Sequence, residues 1–163
     1  MNVEEPEVPE KEGYSGKWEE YTLTLNNITV KAVYELIEYE VKFEADEENV
    51  STEKYTIENK SITKPSVPEK TGYTGKWEAF ELNLENITVK AIYTPIEYKV
   101  TFKADNFEEV KLYTVENKRV EEPEVPEKKG YEGTWEAYEL STGDVLVNAV
   151  YRAKTFTVSF DVN

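Results

Sequence analysis

Apolar and polar residues alternate one by one along several short stretches of the chain. In YKVTFK (98–103) the apolar Tyr98, Val100 and Phe102 alternate with polar residues, and ITVKAIY (87–93) has the same period of two. That period is typical of a β-strand with one buried face. No stretch has the apolar spacing of an amphipathic helix, so the sequence predicts a mainly β protein with little or no helix.

One phrase occurs three times along the chain. It reads PEVPEKEGYSGKW at 6–18, PSVPEKTGYTGKW at 65–77 and PEVPEKKGYEGTW at 123–135. The similarity continues beyond each phrase, which predicts tandem modules and a fragment of a longer repetitive protein. The predicted boundaries are 1–36 for a partial repeat, 37–95 and 96–153 for two complete repeats, and 154–163 for the first strand of a following repeat.

The aromatic residues recur at equivalent positions of the repeats. A ligand platform needs such residues once, whereas a core needs them in every repeat, so we interpret them as core. Phe107 has no aromatic counterpart and is a better candidate for contacting a ligand. The predicted core positions are Trp18, Trp77, Trp135, Tyr14, Tyr73, Tyr131, Tyr34, Tyr93 and Tyr151.

Glycine and asparagine mark the predicted turns. Two glycines bracket the tyrosine of each phrase, which predicts a bend into the next strand. The sequence YTIENK (55–60) predicts a tight hairpin, in which asparagine adopts positive φ. The predicted turn residues are Gly72, Gly75, Gly130, Gly133, Asn59 and Asn117.

The junctions between repeats are short and contain neither glycine nor serine. ELIE (35–38) and TPIE (94–97) each separate two tyrosines, and Ile37 and Ile96 lie where consecutive modules meet. Flexible linkers are longer and rich in glycine and serine. We therefore expect these two isoleucines to pack between modules and the modules to form a stiff, elongated string.

Composition excludes several classes of function. The chain has 34 acidic and 19 basic residues, a net charge of −15, which disfavours nucleic acid and anionic lipid as partners. The absence of Cys and His removes the thiol nucleophile, the imidazole base and the common metal ligands. No apolar run approaches the ~20 residues of a membrane span. We expect no enzyme activity, no cofactor, no metal and no membrane insertion.

The phrase P-x-x-P-x-K-x-G-Y-x-G-x-W, followed by (N/D)-I-T-V-x-A-x-Y, resembles the Listeria–Bacteroides repeat. That family includes the B repeats of internalin-type surface proteins and is similar to mucin-binding repeats. The resemblance implies small β-grasp-like modules in an exported protein at the bacterial cell surface, as in Gram-positive bacteria. The stretch 81–86, where B repeats hold the helix of the grasp, is short here.

The resulting hypothesis is a non-enzymatic spacer or stalk in the extracellular part of a bacterial surface protein. The alternative is an adhesive module that binds a host protein or glycan through a strand edge or loops. We expect a monomer, because negative charge opposes self-association. A further alternative is end-to-end pairing, in which strand 155–163 joins the partial repeat of another molecule.

Overall fold

The computed structural model describes residues 3–161, and within that range it contains β-strands and no helix. The prediction of a mainly β protein is therefore confirmed. The strands are β1 (Tyr14–Trp18), β2 (Ala32–Leu36), β3 (Tyr39–Ala45), β4 (Glu48–Tyr55), β5 (Tyr73–Trp77), β6 (Ile87–Pro95), β7 (Tyr98–Ala104), β8 (Phe107–Tyr113), β9 (Tyr131–Trp135) and β10 (Val145–Ala153).

Each complete repeat provides one four-stranded sheet. The strand orders are β4-β3-β6-β5 and β8-β7-β10-β9, and β1 pairs with β2 in a separate two-stranded sheet. The first and last strands of each repeat lie side by side and run parallel, as β3 with β6 and β7 with β10. The chain between Trp77 and β6 is irregular, with Leu82 and Leu84 packed on the core in place of a helix.

The first hairpin of each repeat turns at an acidic pair or an Asp-Asn pair. Asp46 and Glu47 both have positive φ, at 49° and 68°, and they connect β3 to β4. Two positive φ angles match the right-handed twist of a hairpin. Strand β4 exceeds β8 by one residue, because the ladder shifts register between Phe43 and Glu44 and leaves Val50 as the extra residue of a β-bulge.

A fully buried cluster fills each complete repeat. In the first, Val41 and Phe43 of β3 pack with Tyr55 and Val89, all at most 2% exposed. The ring of Trp77 closes the cluster at its side, with its centroid 5.0 Å from that of Phe43. The second repeat repeats this arrangement with Val100, Phe102, Tyr113, Val147 and Trp135.

The tyrosines predicted as core lie outside both clusters. Tyr14, Tyr34, Tyr73, Tyr93 and Tyr151 are half-buried, and Tyr131 is exposed. Tyr73 and Trp77 lie four residues apart and therefore on one face of β5, but at opposite ends of that strand, and only the tryptophan packs against the buried cluster. The buried tyrosines are instead Tyr55 and Tyr113, whose hydroxyls donate to the carbonyls of Glu85 and Gly143.

Two turn predictions are wrong. Asn59 and Asn117 do not adopt positive φ. Each lies in a bend after the hairpin's second strand, where the side-chain oxygen of Asn59 accepts from Ser61 N at 3.1 Å and that of Asn117 from Arg119 N at 3.2 Å. An asparagine that satisfies its own neighbouring backbone in this way needs no left-handed conformation.

Of the four glycines predicted to form turns, two do so and two do not. Gly72 and Gly130 both have φ of +81° and precede a strand, as expected for a bend. Gly75 and Gly133 lie inside β5 and β9 without positive φ, so they do not form a turn. Phe107 packs against Trp135 with ring centroids 6.1 Å apart, so it belongs to the core and not to a ligand surface.

The chain divides into two compact units. One comprises the residues up to Pro68 together with Gly75–Ile92, and the other comprises Glu69–Thr74 together with the residues from Tyr93 onwards. Two of the unit boundaries fall inside β5 and β6, and the third lies between Pro68 and Glu69. Residues Glu69–Thr74, in the middle of the 65–77 phrase, belong to the same unit as the second complete repeat.

The predicted strand at 154–163 does not form in the part of the chain that the structure describes. Residues 154–161 are exposed and pair with no strand, and positions 162 and 163 lie outside the described residues. The equivalent strands β3 and β7 each lie between two neighbours that complete their hydrogen bonds. The strand pattern of 154–161 is thus present without a β-ladder, although Lys154 N donates to the Gly130 carbonyl at 2.8 Å.

We predict that Phe102→Ala lowers the free energy of unfolding by ~3–5 kcal/mol, because it removes a fully buried ring. Phe160→Ala is the matched control, since Phe160 occupies the same repeat position but is 89% exposed. Its expected cost is below ~0.5 kcal/mol. Urea denaturation followed by tryptophan fluorescence measures both, and equal costs would contradict this assignment of the core.

Candidate functional site at the repeat junctions

The tryptophan of each phrase fixes the proline-rich segment that precedes it. The indole N–H of Trp18 donates to the carbonyl of Pro6 at 2.7 Å, and Trp77 and Trp135 donate to Pro65 and Pro123 at 2.8 and 2.7 Å. Proline cannot donate to a strand ladder, so its segment runs extended beside the sheet. The tryptophan and the first proline of each phrase are therefore hydrogen-bonded to each other.

The second glycine of the phrase allows a tyrosine ring to lie flat across the strand. A β-carbon at Gly16 would lie 2.7 Å from Val8 Cγ1 and 2.9 Å from the Tyr34 ring, and Gly133 has the same surroundings in Val125 and Tyr151. The hydroxyl of Tyr34 then donates to the carbonyl of Pro9 at 2.8 Å. Any side chain at Gly16 would displace this ring or the proline segment.

The phrase lysine lies over the two tyrosine rings. Lys11 Nζ is 3.8 Å from the ring centre of Tyr14 and 5.5 Å from that of Tyr34. Lys70 and Lys128 have equivalent positions over their own tyrosine pairs. A cation over an aromatic face contributes roughly 0.5–1 kcal/mol at an exposed site. The tyrosines thus build a small polar layer distinct from the buried core.

The first glycine of the phrase is the point where the following repeat makes contact. Gly13 is buried, and a β-carbon there would lie 2.6 Å from Ile57 Cβ in the bend of the first complete repeat. The carbonyl of Gly13 accepts from Ile37 N at 2.9 Å. The hydroxyl of Tyr14 donates to Glu58 beside Ile57.

The hydrogen bond to Glu58, followed by burial, raises the pKa of Tyr14. A phenol must be protonated to donate. This contact is therefore complete below the ordinary tyrosine pKa of about 10 and is lost as the pH rises through the raised value.

The second junction repeats the first with equivalent residues, all within the second unit. A β-carbon at Gly72 would overlap Cγ1 of Val115, and the carbonyl of Gly72 accepts from Ile96 N at 2.9 Å. Tyr73 donates to Glu116 at 3.0 Å. The two contacts therefore share one design: a left-handed glycine, a β-branched residue in the bend, and a tyrosine–glutamate pair.

The third copy of the phrase has the same backbone but an open glycine. Gly130 has no atom within 4 Å of the position that a β-carbon would take, and Tyr131 is 41% exposed. Lys154 N still donates to the Gly130 carbonyl at 2.8 Å. The glycine conformation therefore forms without a neighbour packed on it.

The structure places the predicted junction residues beside these contacts. Ile37 and Ile96 bind the glycine carbonyls through their backbone N–H groups, and their side chains are half-buried. Sequence reasoning missed the partners Ile57, Glu58 and their equivalents at 115 and 116. The signal was present, because T-[I/V]-E-N-K recurs at 56–60 and 114–118, but it was interpreted as a hairpin turn.

Other kinds of site find little support in the part of the chain that the structure describes. Among residues 3–161, no three acidic side chains converge to hold a metal ion, and no polar or charged side chain is buried. The same range holds no helix long and apolar enough to cross a membrane. The ion pairs are between exposed side chains, such as Lys17 and Glu35 at 2.8 Å, and such pairs contribute little.

We predict that Gly72→Ala destabilises the fold more than Gly130→Ala does. Both positions have φ of +81°, so each substitution costs roughly 1–2 kcal/mol for the left-handed conformation. Only Gly72 has Val115 packed against it, which adds about 1–3 kcal/mol of overpacking. Urea denaturation compares the two variants directly, and equal costs would show that the bend does not press on the glycine in solution.

Comparison with known proteins identifies the repeats. The Listeria–Bacteroides repeat domain matches residues 39–79 and again 98–136, so each match begins with the buried first strand of a complete repeat and ends just beyond the tryptophan. No curated protein matches the chain, and no solved structure does so either. The chain therefore contains two matched copies of the Listeria–Bacteroides repeat domain.

Proposed function

We propose that this chain is a non-enzymatic repeat segment of a bacterial cell-surface protein, where it acts as a stiff spacer outside the cell. The observation that carries the proposal is the junction contact, which occurs twice with the same chemistry. Gly13 meets Ile57 and Gly72 meets Val115. The two matches to the Listeria–Bacteroides repeat domain support the extracellular location, since such repeats typically occur in surface proteins.

The mechanism of the spacer is geometric. A glycine without a β-carbon lets the next repeat's bend approach the backbone, and the adjoining N–H···O bond and tyrosine–glutamate pair fix its orientation. Three contacts of different kind at each junction resist rotation about the short connection. When each repeat contacts its neighbours in the same way, stiffness extends along the array as repeats are added.

Charge and composition support a passive role. The net charge of −15 keeps such a segment soluble, and the chain has no Cys or His for the common nucleophilic and acid–base reactions. Partner binding is not needed for a spacer, since its task is to hold another domain at a distance. We therefore propose that the segment has no enzyme activity.

One surface favours the alternative, an adhesive module for a host protein or glycan. Val110 and Leu112 of the edge strand β8 and Leu146 of β10 are 47%, 55% and 56% exposed. Thr101 pairs with both Val110 and Leu146, which places an aliphatic row across the outer face of one sheet. The first complete repeat has Thr52, Lys54 and Thr88 at these positions.

Small-angle X-ray scattering tests the spacer. A compact globule of this length has a radius of gyration of ~15 Å, whereas a spacer requires a value nearer 25–30 Å. Inserting Gly-Ser-Gly between Pro95 and Ile96 should broaden the distribution of maximum dimensions. The same insertion between Asp46 and Glu47, in an exposed hairpin tip, is the control and should not. A compact native chain, or equal effects of both insertions, would contradict the proposal.

The adhesive alternative is tested by exchanging the aliphatic row for its counterpart. The triple variant Val110→Thr, Leu112→Lys, Leu146→Thr places the residues of the first complete repeat on the second. If the row binds host surfaces, the native chain adheres to cultured epithelial cells and the triple variant loses at least about 90% of that binding, as expected for an interface anchored by few residues. Equal adhesion of both chains, with unchanged melting temperature, would exclude this surface.

A further inference from the structure

The partial repeat carries an apolar groove on the face where each complete repeat holds its buried cluster. A cavity of about 320 Å³ lies between the proline segment and the strand region, and it is lined mainly by Pro6, Trp18, Tyr21, Leu23, Ile28 and Val30. The equivalent residues of the first complete repeat pack against its buried cluster as Trp77, Phe80, Leu82, Ile87 and Val89. The groove is therefore the surface that a buried cluster covers elsewhere in this chain.

The first strand of each complete repeat is what covers that surface. In the first one, Phe43 of β3 contacts the rings of Trp77 and Phe80 at 5.0 and 5.8 Å between centroids. Phe102 of β7 has the same contacts with Trp135 and Tyr138, at 5.1 and 5.6 Å. Among the described residues that precede β1, no strand takes this place over Trp18.

Strand pairing is also incomplete beside the groove. Strands β6 and β10 begin at Ile87 and Val145, where they pair in parallel with β3 and β7. Strand β2 begins only at Ala32, and residues 28–31 form no strand. Val30 is half-buried, whereas its counterparts Val89 and Val147 are fully buried. Both the backbone of residues 28–31 and the side chain of Val30 thus lack the strand that β3 and β7 provide in the complete repeats.

Residues 154–161 have the sequence of that neighbour. KTFTVSFD aligns with IEYEVKFE (37–44) and IEYKVTFK (96–103), so Val158 and Phe160 correspond to the buried Val41 and Phe43. Both are largely exposed here, at 73% and 89%. An exposed segment that has the apolar alternation of a strand and belongs to no β-ladder is a template for pairing with another chain.

We propose that residues 154–161 of one molecule insert into the groove of the partial repeat of a second copy, as an added parallel strand. The register of β3 with β6 assigns Val158 beside Ile28, Ser159 beside Thr29 and Phe160 beside Val30. The ring of Phe160 then lies between Trp18 and Tyr21, as Phe43 lies between Trp77 and Phe80.

Polar groups support the same register. Asp161 falls beside Lys31, as Glu44 falls beside Lys90, so opposite charges meet. In the complete repeats an Asn or Asp before the last strand accepts from the backbone of the first strand: Asn86 from Glu40 N and Asp144 from Lys99 N, both at 2.8 Å. Asn27 occupies that position in the partial repeat, where Thr157 N would be its donor.

The pairing is head to tail, so each molecule offers one groove and one strand. Contacts of this type leave a free groove and a free strand at the ends of every complex, which produces open chains of increasing length. The net charge of −15 on each copy opposes association, and salt screens that repulsion. We therefore expect assembly to strengthen at about 0.5 M NaCl.

Sedimentation velocity over a concentration series tests the proposal with a matched pair of variants. Phe160→Asp and Ser159→Asp add the same charge at adjacent positions, but only Phe160 faces the groove. The native chain and Ser159→Asp should form dimers and longer species, and Phe160→Asp should weaken the association by about a hundredfold or more. A native chain that stays monomeric at every concentration and salt, or equal weakening by both variants, would overturn the proposal.

Cross-linking tests the register, because the native chain contains no cysteine. The double variant Thr29→Cys, Ser159→Cys should give a ladder of disulfide-linked multimers on a non-reducing gel. Thr29→Cys combined with Thr155→Cys, on the same side of the strand but out of register, should give few. A cross-linked monomer would mean that the strand closes on its own chain and would overturn the assignment to a second copy, as would equal ladders from both pairs.

Discussion

The structure depends on one close approach between backbone and side chain, the contact of a left-handed glycine with the bend of the following repeat. Gly13 and Gly72 leave room that no other residue type would leave, and Ile57 and Val115 fill it. The same glycines offer their carbonyls to the first residue of the next repeat. At each of these two junctions, the close packing and the backbone hydrogen bond to the following repeat therefore involve the same residue of the repeated phrase.

Two layers of aromatic residues have different tasks in this arrangement. The buried layer of Phe43, Tyr55 and their equivalents stabilises each repeat by apolar burial. The half-buried tyrosines form a second layer, held by proline carbonyls and a lysine over their rings. This polar layer stands next to the glycine contact, so it stabilises the junction and contributes little to the core.

The strands and the repeats could be predicted from the sequence. Which tyrosines lie in the core and which lie at the junctions could not. Period-two alternation predicted β6 and β7, and the recurring phrase predicted the glycine bends. Recurrence alone cannot separate core from junction, because both are repeated in every module, and the tyrosines were therefore assigned to the core. Asn59 was assigned positive φ from its residue type, whereas its side chain satisfies the local backbone instead.

The partners of the glycines were harder to predict because they lie far along the chain. Ile57 lies beside Gly13 only because β3 and β4 pair with each other. The residues near Gly13 in the sequence give no indication that Ile57 is its partner. The position of the bulge could not be predicted either. The sequence shows one extra residue in the first complete repeat, but only the register of β3 and β4 identifies Val50 as the unpaired residue.

We propose that the glycine contact makes the partial repeat and the first complete repeat move as one body. Backbone ¹⁵N relaxation across the first junction measures this directly, by comparing rotational diffusion of β1 and β2 with that of β3 and β4. If the contact holds in solution, a single diffusion tensor describes all four strands. Separate correlation times for the two pairs, or large-amplitude motion at residues 35–38 on the nanosecond scale, would contradict it.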